Sequence, residues 1–546
     1  METQRAMIAI ALSVAILMIY QYFFVPAPKP PVPEKARVAA TATAKGAVPT
    51  LTGNQAPGTP RTLPLTTGRD IPVETALYKA EISEANGVLK SFQLKRYRET
   101  LDRLSPPKEL IRTTAAEGLP LFFSWGVEPG RADQLLYTAD TNKVIVEGDG
   151  TQNLTMTGTL PSGLEIERRY TFRQNDYRIG LTITVRNHSA VPLQGAPYLT
   201  LVNRPFDEQK SQFLFAGPAA YLDGTLHEIK VKDLKKAGGS MSLTGAVRWA
   251  AYEDNYFMTT IVPEGMGQAT AYFSLSDESK VTSVLAGAAD TLAPQASKEY
   301  AYTLYFGPKE LKLLKTMGSD LDRSVNFGWF DVIARPTLYL LNFLEKFVGN
   351  YGVAIILVTV LIKLLFWPIS QKGMESMKTL QKIQPKMAKL REKYQDDKVR
   401  QQQEMMKLYQ TYKVNPLGGC LPMVLQIPVF FALYKVLLQS IELRHAPFML
   451  WITDLAAPDR LPIGFDLPWL HGIPVLTLLM GGSMFLQQKM TPSTGDPTQA
   501  KVMLFMPVIF TFMFLNFASG LVLYWLVNNL LTIGQQYLVN RKMQAE

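Results

Sequence analysis

A lysine inside an otherwise apolar, membrane-length run is the residue in this chain with the most chemistry to offer. The run is Tyr351 to Ser370, YGVAIILVTVLIKLLFWPIS, and the lysine is Lys363. About 18 consecutive apolar residues suffice to cross a bilayer, so the stretch reads as a transmembrane helix ending at Pro368. Lys363 lies six residues short of Ile369, roughly 9 Å from that end at about 1.5 Å per residue. An ammonium at that depth either serves a function or snorkels to the interface on its alkyl stem. Thr359 is four residues away and shares the helix face. Gln426 and Asn528, in later apolar runs, fall at comparable depth when each run is numbered from its cytoplasmic end, and Gln487 and Gln488 stand at the cytoplasmic mouth.

Polar residues gathered at one depth imply a shared wet cavity. Interhelical hydrogen bonding, worth roughly 1 kcal/mol per contact, explains Gln426 and Asn528 equally well but explains Lys363 badly. No Asp or Glu occurs inside the apolar runs. A buried Lys–Glu pair and a carboxylate proton relay are therefore disfavoured, and the natural complement of Lys363 is an acidic residue of another chain. The broad apolar walls offered by Phe430, Phe431, Leu433, Met513 and Phe514 exceed what ordinary solutes need.

Other chemistry is thinly represented. Across 546 residues there is one cysteine, Cys420, so neither an intramolecular disulfide nor a cysteine metal cluster can form. His188, His227, His445 and His471 are scattered, and phosphate-loop, zincin and nucleophile-elbow motifs are missing. An enzyme is not expected, nor a cofactor. The net charge of +10 concentrates beside the apolar runs, which is a topology signal rather than a nucleic-acid surface.

The elements that must position these residues follow from the pattern along the chain. Residues 1–25 read as an N-terminal transmembrane signal anchor, with Arg5 before the apolar run Met7 to Val25. Residues 26–60, rich in Pro and Ala, read as a disordered tether. Residues 61–335 read as a β-sandwich: Ile179, Leu181, Ile183 and Val185 alternate on one face, and Gly148-Asp149-Gly150 is one of several turn clusters. A short helix is expected from Pro308 to Met317, stopped by Gly318. Residues 336–350 read as an interfacial amphipathic helix, since Leu340, Phe343, Leu344 and Phe347 share a face.

Residues 351–546 then hold five transmembrane helices. Residues 371–419 form a cytoplasmic helical hairpin, with eleven Lys/Arg against five Asp/Glu between Gln371 and Gly419. Met374, Met377, Met387 and Met405 recur along it at helical intervals. Such a stripe either packs inside the hairpin, the favoured reading, or adapts to apolar partners. The remaining spans are Leu421 to Leu438, Ile473 to Leu486, Val502 to Phe517 and Leu521 to Leu538. The loop Glu442 to Gly472 carries two Lys/Arg against four Asp/Glu, which places it with the sandwich on the far side of the membrane and both termini in the cytoplasm.

The motif Lys413-Val-Asn-Pro-Leu-Gly-Gly-Cys420, followed by Pro422, Gln426, Pro428 and Ala432-Leu433-Tyr434, resembles the YidC/Oxa/Alb family of membrane protein insertases. So do Phe505-Met-Pro-Val-Ile-Phe510 and Ser519-Gly-Leu-Val-Leu-Tyr524 with Asn528. The similarity covers about Gly349 to Leu538, and the preceding anchor and sandwich resemble the family's Gram-negative form, whose periplasmic domain is a β-supersandwich similar to sugar mutarotases. The resemblance implies a polytopic α-helical membrane protein of the bacterial inner membrane, with six transmembrane helices and a large periplasmic all-β domain accessory to insertion. It implies a hydrophilic groove, open to cytoplasm and lipid, in which Lys363 stands where the family commonly has arginine. That keeps the charge and loses the guanidinium fork. Thr359, Gln426, Asn528 and Gln487 would line the groove, and Phe430, Leu433, Tyr524 and Trp525 would touch clients. Nascent membrane proteins are the implied clients, with the Sec translocon, the ribosome and the lipid bilayer as partners and no direct nucleic-acid function. The residues alone also accommodate a small-anion transporter or channel, a membrane-anchored sugar enzyme, or a structural scaffold.

Overall fold

Alternation at period two governs residues 70–308. In Arg178–Asn187 the buried and half-buried positions alternate without a break, with Ile179, Leu181, Ile183 and Val185 inward. That strand pairs antiparallel with Leu164–Arg173 on one side and Ser297–Pro308 on the other. Together they form the middle of a nine-stranded sheet. Two five-stranded sheets and a two-stranded ribbon complete the β region. Among the described residues pairing is antiparallel except where Asp70–Glu74 meets Val144–Ile145. Strands such as Pro197–Asn203 and Gly217–Leu222 are buried at every position. Gly148 takes φ 63° in the expected turn cluster.

The computed structural model describes residues 68–102, 104–206, 215–277, 279–412, 421–464, 472–490 and 497–545. The anchor, the tether and the motif segment Lys413–Cys420 lie outside the described residues.

Nine helices occur among the described residues: α1 (Val231–Lys236), α2 (Leu311–Met317), α3 (Asp331–Val348), α4 (Tyr351–Lys393), α5 (Lys398–Thr411), α6 (Leu421–Gln439), α7 (Val475–Met490), α8 (Pro497–Phe514) and α9 (Ser519–Ala545). Gly318, at φ 75°, closes α2 as expected, but the helix opens at Leu311, and Pro308 ends the strand Ser297–Pro308 instead of starting the helix. The amphipathic helix α3 begins at Asp331 rather than Pro336. Arg335 holds its first turn, donating from Nε to Asp331 and from Nη1 to Asp322. Its exposed face carries Phe343 and Phe347, which meet each other edge to face.

The helix through Lys363 does not stop at Pro368: α4 runs 43 residues, through Pro368 and Pro385, into the basic segment. Proline interrupts the backbone ladder of a helix. Helix α9 packs beside α4 at this level, with Gln535 Nε2 donating to the Trp367 carbonyl at 3.3 Å, although the carbonyl that Pro368 leaves without its amide is that of Leu364. The break falls instead after Lys393, and Asp397 caps α5 by accepting from the Arg400 amide at 3.0 Å.

Among the described residues α4 alone is long and apolar enough to cross a membrane by length and composition. Shorter apolar helical stretches occupy Gln426–Gln439 and Met503–Phe514. Helix α9 packs against α7 and α4, α3 lies on α4 and α6, and α7 pairs with α8. Two glycines permit close approaches. A Cβ on Gly352 would sit 2.0 Å from the Phe448 ring, and one on Gly481 would sit 2.1 Å from Thr511 Oγ1.

Candidate functional site

The helical region is layered along its axis. At the end facing the β region, the loop after α6 folds over the helix termini. Asp459 is buried there and accepts from Trp451 Nε1 at 2.7 Å and from the Thr477 amide at 3.1 Å. The amides of Ser519 and Gly520 donate to the carbonyls of Ala457 and Leu455. Arg444 reaches the β region, donating to the carbonyls of Arg98 at 3.0 Å and Glu99 at 3.2 Å, with its guanidinium over the Phe257 ring. Asn342 donates to Glu442 at 3.2 Å, and burial raises the pKa of that carboxyl.

Beneath this loop lies an aromatic layer. Phe430 contacts Phe431, Tyr434 and Trp525, and Phe514 contacts Phe517 and Trp525. Below it the side chains turn polar. Gln426 Nε2 donates to the Tyr524 hydroxyl at 3.4 Å, a long bond at the boundary between the layers.

Lys363 occupies the next level, half-buried on α4, and donates to Thr532 Oγ1 of α9 at 2.7 Å. Among the described residues no charged side chain offsets its ammonium. Next toward the basic end, Ser370 donates to Gln535 Oε1 at 3.0 Å. On the other flank of α9, Asn529 donates to Ser483 of α7 at 3.0 Å and Gln536 to the Met490 carbonyl at 2.8 Å.

The residues singled out from sequence take different places in this arrangement. Lys363, Gln426 and Asn528 lie on helices that meet α9 or belong to it, and Asn528 contributes its carbonyl, which accepts from Thr532 at 2.6 Å. Thr359 is buried and donates into its own helix, to Ile355 O at 2.7 Å. Gln487 is half-buried in the last turn of α7. Phe430 and Trp525 are half-buried, whereas Leu433 is 0% and Tyr524 1% exposed. In the hairpin, Met377, Met387 and Met405 pack with Leu380, Ile383, Leu408 and Tyr409, and Met374 is half-buried outside that cluster. Among the described residues no group of three or more His, Cys, Asp or Glu is placed to hold a metal ion.

Sequence reasoning missed Ser370, Ser483, Asn529, Thr532, Gln535 and Gln536. The signal was present in Asn528-Asn-Leu-Leu-Thr-Ile-Gly-Gln-Gln536. Its polar positions fall at i, i+1, i+4, i+7 and i+8, a stripe along one side of a helix.

Comparison with known proteins divides the chain at the same place. Residues 70–340 match the family described as YidC periplasmic domain, and residues 343–546 match the 60Kd inner membrane protein family. A protein named membrane protein insertase YidC from Syntrophobacter fumaroxidans is 42% identical over 479 residues, covering 86% of each chain. One of the same name from Pelobacter propionicus is 44% identical over 506 residues, covering 90% of this chain and 91% of the relative. Among solved structures, an active YidC insertase with its first transmembrane domain resolved is 18% identical, covering 87% of this chain and 93% of that one at a TM-score of 0.36. A galactose mutarotase-like protein from Lactobacillus casei is 12% identical, covering 43% of this chain and 99% of that one at a TM-score of 0.32.

Proposed function

The chain belongs to the YidC family of membrane protein insertases, and from that premise we propose that it inserts, folds and helps assemble integral membrane proteins through a polar cavity around Lys363. It is an inner-membrane protein with a periplasmic β domain, and it acts without covalent catalysis. Its clients are membrane proteins and its working medium is the bilayer. The proposed topology has six transmembrane helices, the anchor among them, with both termini cytoplasmic and residues 61–335 in the periplasm.

The observation that carries the mechanism is the lone ammonium of Lys363. It is half-buried, bonded to a neutral hydroxyl and without an ionic partner among the described residues. Burying a polar or charged client segment in hydrocarbon costs several kcal/mol. A hydrated half-channel shortens the dry path, and a fixed positive charge in it attracts the carboxylates of a short translocating tail. The aromatic layer and the folded loop close the periplasmic end, so the cavity opens toward cytoplasm and lipid. The client's apolar helix leaves sideways past the exposed side chains of α6 and α8, among them Ile427, Phe505 and Phe512. Gln426, Asn528 and Gln487 belong to the wall of this cavity with Thr359 buried behind it, and Phe430 and Trp525 to the client path, which Leu433 and Tyr524 join when the helices part.

The basic hairpin of α4 and α5 first meets the client at the cytoplasmic surface, with the ribosome close by, and the Sec translocon is the partner for larger clients. Sealed vesicles containing the purified chain test the proposal. Insertion of a single-span client without added nucleotide supports it. Release of a trapped small anion without client insertion would point to a transporter instead.

A further inference from the structure

Lys363 carries three N–H donors. One goes to Thr532 Oγ1 at 2.7 Å. That hydroxyl commits its own hydrogen to the Asn528 carbonyl one turn back, at 2.6 Å. With its hydrogen so placed, the oxygen offers the lysine only lone pairs. Thr532 is therefore an oriented acceptor, and its orientation is fixed by the helix that carries it.

Helix α9 is itself held on two sides. Asn529 is bonded to Ser483 on α7, and Gln535 is bonded to Ser370 on α4. Thr359, which shares the face of Lys363 on α4, is occupied with Ile355 and does not compete for the ammonium. Without an anchor, a four-carbon stem roughly 9 Å from the cytoplasmic end of the apolar run would let the ammonium swing toward water.

We infer that Thr532 is the positioning residue for Lys363, holding the ammonium at cavity depth with its remaining donors free for carboxylates of an entering client segment. The inference rests on the insertase reading above and deepens it. The preference for acidic tails then depends on where the charge is held as well as on its presence.

The test uses the intact chain in sealed vesicles. Two single-span clients differ only in a translocated tail carrying two Asp or two Asn. Thr532→Val keeps the shape and removes the acceptor, and Thr532→Ser keeps the acceptor. The valine variant is expected to insert the acidic-tailed client on the order of tenfold more slowly, as loss of a hydrogen bond to a charged group implies. It should leave the neutral-tailed client within about twofold, and serine should restore the rate. In parallel, modification of Lys363 by an amine reagent supplied from the cytoplasmic side, read by peptide mass spectrometry, should rise several-fold in the valine variant, as snorkelling predicts.

Unchanged insertion of both clients by Thr532→Val, or equal loss of both without rescue by serine, overturns the inference. So does unchanged labelling of Lys363. If wild type and Lys363→Ala insert the two clients equally well, the electrostatic cavity itself fails, and the labelling still decides whether Thr532 holds the lysine.

Discussion

Phe430 and Trp525 meet edge to face, with ring centroids 4.7 Å apart and planes at 86°. This contact ties α6 to α9 at the level between the polar cavity and the periplasmic loop. Trp525 also touches Phe514 of α8, at 5.5 Å, so one ring joins three helices. Replacing Trp525 by Ala should lower stability by about 2–4 kcal/mol, the lower range for a large aromatic side chain that is not fully buried. A double-mutant cycle with Phe430→Ala should return a coupling of about 0.5–1.5 kcal/mol. The single variant should also raise dye leakage from vesicles in which the wild type stays sealed. Unchanged leakage would mean that the loop pinned by Asp459 closes the passage by itself.

Burial separates the residues a client can touch from those it reaches only when helices part. Ile427 is 46% and Phe512 70% exposed, against 0% for Leu433 and 1% for Tyr524. A photoreactive side chain at Ile427 or Phe430 should capture a stalled client several-fold more efficiently than one at Leu433, because crosslinking requires contact within a few ångström. Equal capture from Leu433 would show that α6 and α9 separate during insertion.

The Ser370–Gln535 bond is buried and lies within the apolar length of the helices. Ser370→Ala leaves the Gln535 oxygen without its partner and should cost about 1 kcal/mol, the usual scale for such pairs between membrane helices. Adding Gln535→Leu should recover part of the loss, because removing both partners costs less than orphaning one. Thermal unfolding in detergent measures both variants.

Acid should weaken the β domain through Glu84. Hydrogen bonds from the Arg69 guanidinium, assisted by the amides of Ala139 and Arg69, hold this carboxyl down at about 2 against an ordinary value of 4.5. A depressed folded-state value contributes stability that is fully present above about pH 4.5 and is lost as pH falls toward about 2. Glu84→Gln should therefore be less stable than wild type at pH 7, with the two unfolding curves converging near pH 2. Parallel curves across that window would show that the carboxylate contributes nothing.

Much of this architecture was legible in the residues. Alternation in Arg178–Asn187 gave its inward face, Gly318 marked the end of α2, and the helical hairpin expected within 371–419 is formed by the end of α4 and α5. Pro368 misled because a proline reads locally as a helix end, whereas α4 continues through it where α9 packs alongside. Thr532 was missed for a similar reason. A threonine in an apolar run is unremarkable by itself, and only the packing of α9 against α4 brings its hydroxyl to Lys363. Thr359 shows the converse, since shared helical phase put it on the lysine's face while its hydroxyl turned back to its own backbone.

The central claim is that a positive charge at Lys363 drives the passage of acidic client tails. Purified wild type and Lys363→Ala, reconstituted in sealed vesicles without nucleotide, should be compared for insertion of an acidic-tailed single-span client by protease protection. The account predicts that wild type protects the tail and that the alanine variant does so at least about tenfold less, with Lys363→Arg retaining most of the activity, as a charge-based interaction requires. Equal protection by wild type and Lys363→Ala would contradict it.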